Sequence, residues 1–195
     1  MISNGLEKYL ILKLNKKGNF NEKDFEKIEE ISLNFKELNS QNLDYDFKDF
    51  LKFENLKFLS LQNFNIKNYE TNIINRIKSL CAVQMTNCKI SSKSTLQGNL
   101  ELISFQHCKN LKIKYISNLK KLKILKIGNN KRISVKGISK LKSLEKLYFR
   151  NIKLTYSREL ELLPNLSYIN LAESKYSKNL EKNLSKNIEI DKAII

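Results

Sequence analysis

Tryptophan is absent from this 195-residue chain, proline occurs once and glycine five times. With so few backbone breakers no flexible linker stands out, and one continuous architecture is expected over residues 1–195. Histidine occurs once, as His107, so no other residue could serve a Ser-His-Asp site. Nucleophile elbows, P-loops and Gly-rich dinucleotide turns are missing too. An enzyme is therefore not expected. The three cysteines, Cys81, Cys88 and Cys108, are an odd count that does not suit a secreted disulfide framework. Met1 to Asn15 lack a basic segment followed by an apolar run and a small-residue cleavage site. No stretch approaches the ~20 apolar residues of a membrane span. These absences point to a soluble protein in a reducing, cytoplasmic setting.

Arginine is scarce as well, which bears on the charge. The formal net charge is +16, a value that raises nucleic acid, anionic membrane or an acidic protein as partners. Yet only Arg76, Arg132, Arg150 and Arg158 are arginines, against 32 lysines. Arginine is the preferred residue for bidentate phosphate and base contacts. Lysine is abundant together with 25 Asn and 22 Ile, three residues that share AT-rich codons. Genome composition accounts for much of the excess, and a nucleic-acid reader is the weaker expectation.

What the chain does have is an internal repeat. Residues 122–133 read LKILKIGNNKRI and place Leu122, Leu125, Ile127 and Asn130 on the pattern L-x-x-L-x-L-x-x-N. Leu100, Ile103, Phe105 and Cys108 repeat it, as do Leu80, Val83, Met85 and Cys88. Leu144, Leu147 and Phe149 follow, then Leu166, Ile169, Leu171 and Ser174. Upstream, Leu56, Leu59 and Leu61 fit, then Ile28, Ile31 and Leu33, with Tyr9, Leu12 and Leu14 as a degenerate first copy. From Leu100 onward the period is a steady 22 residues; before it the intervals are 28, 24 and 20. Between the copies apolar residues step by three, as in Ile116, Leu119 and Leu122, which suits 3₁₀ or short helical turns. The alternation within L-x-L, with Ser, Gln or Thr between and beside the apolar positions, reads as strand.

On these residues the chain resembles the leucine-rich repeat proteins, closest to the 22-residue class, over roughly residues 9–175. The resemblance implies an α/β solenoid with a curved parallel sheet on its concave face and short helices, 3₁₀ turns and loops on its convex face. It also implies a buried Asn, Cys or Ser in the turn after each strand. Asn130, Cys88, Cys108 and Ser174 fit; Lys36, Phe64 and Ile152 do not. Repeats are expected over 28–175, with caps at 1–20 and 176–195 protecting the open sheet edges. The second cap holds Ile188, Ile190, Ile194 and Ile195, an apolar tail that must pack on the last repeat or meet another chain.

Strand alternation then sorts the outward residues into rows. The residue between the two core positions runs Lys13, Ser32, Ser60, Gln84, Ser104, Lys126, Tyr148, Asn170. The one before runs Ile11, Glu30, Phe58, Ala82, Leu102, Ile124, Lys146, Tyr168, and the one after ends on Gly128, Arg150, Ala172. From these rows a partner-binding face is expected of Phe58, Gln84, Leu102, Ile124, Lys126, Lys146, Tyr148, Arg150, Tyr168 and Asn170. Phe58, Leu102 and Ile124 either belong to it or lie under loops at the sheet margin. Lys109, Lys112, Lys114, Lys136 and Lys140 fall in loops and convex segments, where a solvated surface is expected.

Two chemical alternatives come from composition. Cys88, Cys108 and His107 would give three zinc ligands where a structural site wants four, and no metal or other cofactor is expected. Asp44, Asp46 and Asp49 alternate with Tyr45, Phe47 and Phe50 in the long interval between copies; solvent-facing carboxylates over packed rings are expected. The function expected is binding of another protein, an acidic one or a toxin, by a monomer acting as inhibitor, adaptor or immunity-type protein. The alternative is a polyanion-binding protein using the lysine-rich surface.

Overall fold

The computed structural model describes residues 2–16, 20–41, 44–177, 179–184 and 187–193. Eight strands form one sheet: β1 (Glu30–Asn34), β2 (Phe58–Gln62), β3 (Ala82–Thr86), β4 (Leu102–Gln106), β5 (Ile124–Gly128), β6 (Lys146–Arg150), β7 (Tyr168–Asn170) and β8 (Glu189–Asp191). They lie side by side in chain order, and every pairing is parallel. The register joins equivalent residues of successive repeats: Leu59 faces Val83, then Ile103, Leu125, Leu147, Ile169 and Ile190. Strand alternation turns the other set of side chains the opposite way.

The core follows from that register. Leu59, Val83, Ile103, Leu125, Leu147 and Ile169 are all fully enclosed. Behind them the step of three becomes a chain of i→i−3 hydrogen bonds. Ile116 N–H donates to the Ile113 carbonyl, Leu119 to Ile116 and Leu122 to Leu119, at 3.0, 3.0 and 3.3 Å. Ile138, Leu141 and Leu144 repeat the arrangement one period later. Such bonds place side chains at i and i+3 on one side, so every third residue is buried against the sheet. In the longer early repeats the same space is filled by helix Phe35–Ser40, the 3₁₀ segment Phe47–Lys52 and helix Asn68–Ile74. Phe35, Tyr45, Phe47 and Phe64 pack there with ring centroids 5.2–5.9 Å apart.

Each strand must end in a turn that leaves carbonyls facing inward, and the expected small polar residues satisfy them. Asn130 Nδ2 donates to the Gly128 carbonyl at 2.7 Å. Cys88 Sγ lies 3.4 Å from the Leu61 and Thr86 carbonyls, and Cys108 Sγ 3.2 Å from that of Met85. Ser174 Oγ donates to Phe149 and Ala172. One residue earlier the backbone is left-handed, and Asn63, Asn87, Asn129 and Asn151 hold that position at φ 50–64°. Asparagine tolerates this conformation better than most residues. Their amides also link repeats: Asn63 donates to Asn34 and Asn151 to Asn129, at 2.7 and 3.1 Å. His107 and Glu173 take the same step in their repeats. Phe64 and Ile152, which break the expected turn pattern, are buried and fill the space with apolar volume.

The first of the two ends differs from expectation. Residues Asn4–Leu14 form a helix, α1, so Tyr9, Leu12 and Leu14 are not a strand copy, and Ile11 and Lys13 do not extend the outward rows. Leu6 and Leu10, one helical turn apart, face the core, whereas Leu12 is exposed. Carboxylates and carbonyls of the long interval seat the start of this helix. Ser3 N–H donates to Asp49 Oδ2 at 2.7 Å, Asn4 N–H to Asp44 Oδ1 at 3.0 Å, and Gly5 N–H to the Asp44 carbonyl at 2.8 Å. A Cβ on Gly5 would stand 2.5 Å from that carbonyl, so the close approach requires glycine. Asp49 is thus buried rather than solvent-facing. At the other end residues 189–191 add an eighth strand, with Ile188 and Ile190 half-buried against the last repeat. Ile194 and Ile195 lie outside the described residues.

The register makes a direct stability test. Leu125→Ala removes a fully enclosed side chain and is expected to cost ~2–5 kcal/mol. Lys126→Ala, next to it on the outer face, is expected to cost under ~1 kcal/mol, chiefly its contact with Tyr148. Urea unfolding of both variants checks this; equal losses would contradict the register.

Candidate partner-binding face

The parallel pairing aligns the outward residues as rows across the sheet. Phe58, Ala82, Leu102, Ile124, Lys146 and Tyr168 are consecutive partners in one row. Ser60, Gln84, Ser104, Lys126, Tyr148 and Asn170 are partners in the next. Phe58, Leu102 and Ile124 are half-buried, as are Gln84, Lys126, Tyr148, Arg150 and Tyr168, while Lys146 is exposed. Phe58, Leu102 and Ile124 are therefore not enclosed under margin loops.

The rows differ in character along the sheet. Over β1 to β4 the middle row is uncharged and polar, Ser32, Ser60, Gln84 and Ser104, the last of them buried. Over β5 to β7 it becomes aromatic and basic. The Tyr148 and Tyr168 rings lie 5.2 Å apart, tilted by 44°. Lys126 Nζ stands 4.9 Å from the centre of the Tyr148 ring, a cation–π distance. Arg150 lies on the same strand, its Nε 3.5 Å from Glu173 in an exposed pair that contributes little stability. Tyr168 is fixed from its far end: its hydroxyl donates to Asp191 Oδ2 at 2.9 Å. The C-terminal strand thus does more than close the sheet, because it pre-orients an aromatic of the face.

Asn170 departs from expectation. It is only 4% exposed. Its amide donates to Asp191 Oδ2 at 3.1 Å and to the Ala193 carbonyl at 3.0 Å, and its Oδ1 accepts from Ala172 N–H. It anchors the terminal strand and is not part of the contact surface. Nothing in the sequence pattern distinguished it, since the strand that covers it lies outside the recognised repeats.

The remaining chemical groups are structural. Cys88 and Cys108 are buried and unpaired, and Cys81 is unpaired and half-buried. The hydrogen bond that the Cys108 thiol donates to Cys88, and burial, together push the Cys108 thiol up, away from the reactive thiolate. His107 is exposed at a left-handed turn position. Among the described residues no three His, Cys, Asp or Glu side chains are grouped to hold a metal ion. Asp46 caps the 3₁₀ segment through Lys48 N–H and accepts from the Tyr69 hydroxyl. Among the described residues no helix is long and apolar enough to cross a membrane.

No protein-family description and no curated protein matches the chain. Among solved structures, an internalin C2 of Listeria monocytogenes superposes with a TM-score of 0.58 at 17% identity, covering 96% of this chain and 91% of its own. An internalin F of the same organism covers 97% of this chain and 75% of its own, at 12% identity and a TM-score of 0.36. The fold is a leucine-rich repeat solenoid. In leucine-rich repeat terms, β1 to β7 are the repeat strands, and Lys126, Lys146, Tyr148, Arg150 and Tyr168 are outward residues of β5 to β7.

The clamp on this face is sensitive to acid. The Ala193 backbone N–H and the Tyr168 hydroxyl, both donating to Asp191, hold its carboxyl below the usual range. For Asp49 burial acts upward, but Lys52 and Ser3 outweigh it, and the net shift is also downward. Both groups are more acidic folded than unfolded. Their contribution is therefore complete above the unfolded value of about 4 and is lost as pH falls through the folded values. The urea midpoint is expected to hold from pH 7 to 5 and fall below pH 4, less steeply in Asp191→Asn. A midpoint unchanged from pH 7 to 3 would contradict this.

Proposed function

We propose that this protein binds another protein through the outward face of its sheet and acts by occupying that partner rather than by transforming it. The observation that carries the reading is the Tyr148–Tyr168 pair, 5.2 Å apart, flanked by Lys126 and backed by the Asp191 clamp. Tyrosine presents a large amphipathic area with few rotatable bonds, so little entropy is lost on contact. Tyrosine and arginine dominate interface hot spots. A ring already held by a neighbouring strand gives up still less freedom. Phe58, Leu102 and Ile124 extend the contact along the adjoining strands as apolar area.

Lys126, Lys146 and Arg150 around the tyrosines favour an acidic partner surface and would raise its association rate. Within this reading the protein serves as an inhibitor, an adaptor or an immunity-type protein that blocks a toxin. The three unpaired cysteines support a reducing, cytoplasmic setting for this activity.

The test is capture from native host extract at physiological salt, with the partner identified by mass spectrometry and its affinity measured on purified proteins. The combined variant Tyr148→Ala/Arg150→Ala/Tyr168→Ala is expected to weaken binding by more than about thirtyfold, the scale of one hot spot. Lys112→Glu, away from the face, is expected to bind normally. Undiminished binding by the triple variant would overturn the reading.

A further inference from the structure

A cleft of about 540 Å³ opens between the segments that run behind the sheet from β4 to β7. Lys112, Lys114, Lys136 and Lys140 line it, with Ser117, Ser134 and Ser139 between them. The 22-residue period builds this arrangement. Lys114, Lys136 and Arg158 are equivalent residues of three successive repeats, and so are Lys112, Ser134 and Tyr156. Lysines scattered along the sequence thereby converge on one side of the solenoid. None of the four lining lysines has a carboxylate within ion-pair distance among the described residues. Glu159 is the one acid in the lining, and its Oε2 is already engaged by Gly137 N–H at 2.7 Å and Ser139 Oγ at 3.0 Å. Four exposed lysines thus line the cleft with one carboxylate that is spent on fixing the turn.

Beside the cleft stands an aromatic in an unusual position. Tyr156 is 64% exposed and has a left-handed backbone at φ 60°. It precedes the 3₁₀ segment Ser157–Leu162; the 3₁₀ segment Ile138–Lys140 is also entered through a left-handed residue, Gly137, three positions later in the repeat. Glycine takes this conformation freely, whereas a tyrosine there is strained. The strained residue holds its ring out in solvent, with Lys136 Nζ 5.8 Å from the ring centre. Neither core packing nor turn geometry requires the ring.

We propose that this cleft binds a nucleoside polyphosphate, with the lysines and the Ser134 hydroxyl on the phosphates and Tyr156 stacked on the base. The lysines supply point charges, and the Ser134 hydroxyl, which accepts from Lys136 N–H and keeps its own proton, supplies a donor for a phosphate oxygen. A base offers the flat apolar face that an exposed tyrosine lacks. The volume suits a ligand of that size. The site is separate from the sheet face and independent of the protein partner.

ATP and inorganic triphosphate serve as probes, titrated calorimetrically into the full chain at physiological salt. Saturable ATP binding is expected. Lys112→Glu/Lys136→Glu is expected to weaken it by about tenfold or more, the effect of losing a charged hydrogen bond. Tyr156→Gly is expected to weaken ATP about tenfold while leaving triphosphate unchanged. It should also leave the thermal midpoint equal or higher, which separates loss of ligand contact from loss of fold. Lys126→Ala, on the sheet face, should bind ATP as the wild type does. Absence of saturable binding at millimolar ATP, or wild-type affinity in the double charge reversal, would overturn the site. Equal affinity for ATP and triphosphate, unaffected by Tyr156→Gly, would overturn the nucleotide assignment.

Discussion

Everything in this molecule depends on one constraint: a strand with a single apolar face of two or three residues cannot bury that face alone. Stacking equivalent strands in parallel register gives each L-x-L pair a like pair above and below, about 4.8 Å away. Once Leu125 is fixed against Ile103 and Leu147, the opposite face is fixed as well. Tyr148 must then stand beside Lys126, and Tyr168 beside Lys146. Packing on one side of the sheet therefore dictates which side chains a partner meets on the other. The same periodicity collects Lys114 and Lys136 behind the sheet. Both surfaces are by-products of the stack, and both can vary in sequence without disturbing it.

The repeats were legible because burial imposes a pattern that few other folds share. Strand alternation marked the core of β1 to β7, and the step of three marked the turns behind them. The resemblance to leucine-rich repeat proteins implied Cys88, Cys108, Asn130 and Ser174 as turn residues, and they satisfy inward carbonyls. The aromatic part of the outer face followed from the same rows. What the pattern could not supply lies at the ends and in the turns. Residues 4–14 carry apolar residues at both spacings, and the helical pair Leu6 and Leu10 prevailed because Asp44 and Asp49 satisfy the first N–H groups of a helix. A strand there would have cost Asp44 and Asp49 these N–H donors, although Asp49 also pairs with Lys52.

The terminal strand was hidden for a related reason. Residues 188–190 have only Ile188 and Ile190 to show, too short a signal to separate from a loop. Its consequence for function was hidden with it: Asp191 converts Asn170 from an outward residue into an anchor and sets the orientation of Tyr168. The asparagines at 63, 87, 129 and 151 were visible as letters but had no assigned role. Their recurrence just past each strand is the signal of a left-handed turn position, readable once strand ends are known. The strained Tyr156 could not be read at all, since only the backbone distinguishes it from an ordinary surface tyrosine.

The central claim is that a protein partner sits on the outward face of β5 to β7. Hydrogen–deuterium exchange, measured on the protein alone and with its captured partner, tests this most directly. The account predicts added protection in residues 124–128, 146–150 and 168–170, with segments 112–117 and 134–140 unchanged. Protection confined to those rear segments, with the strands unaltered, would contradict it.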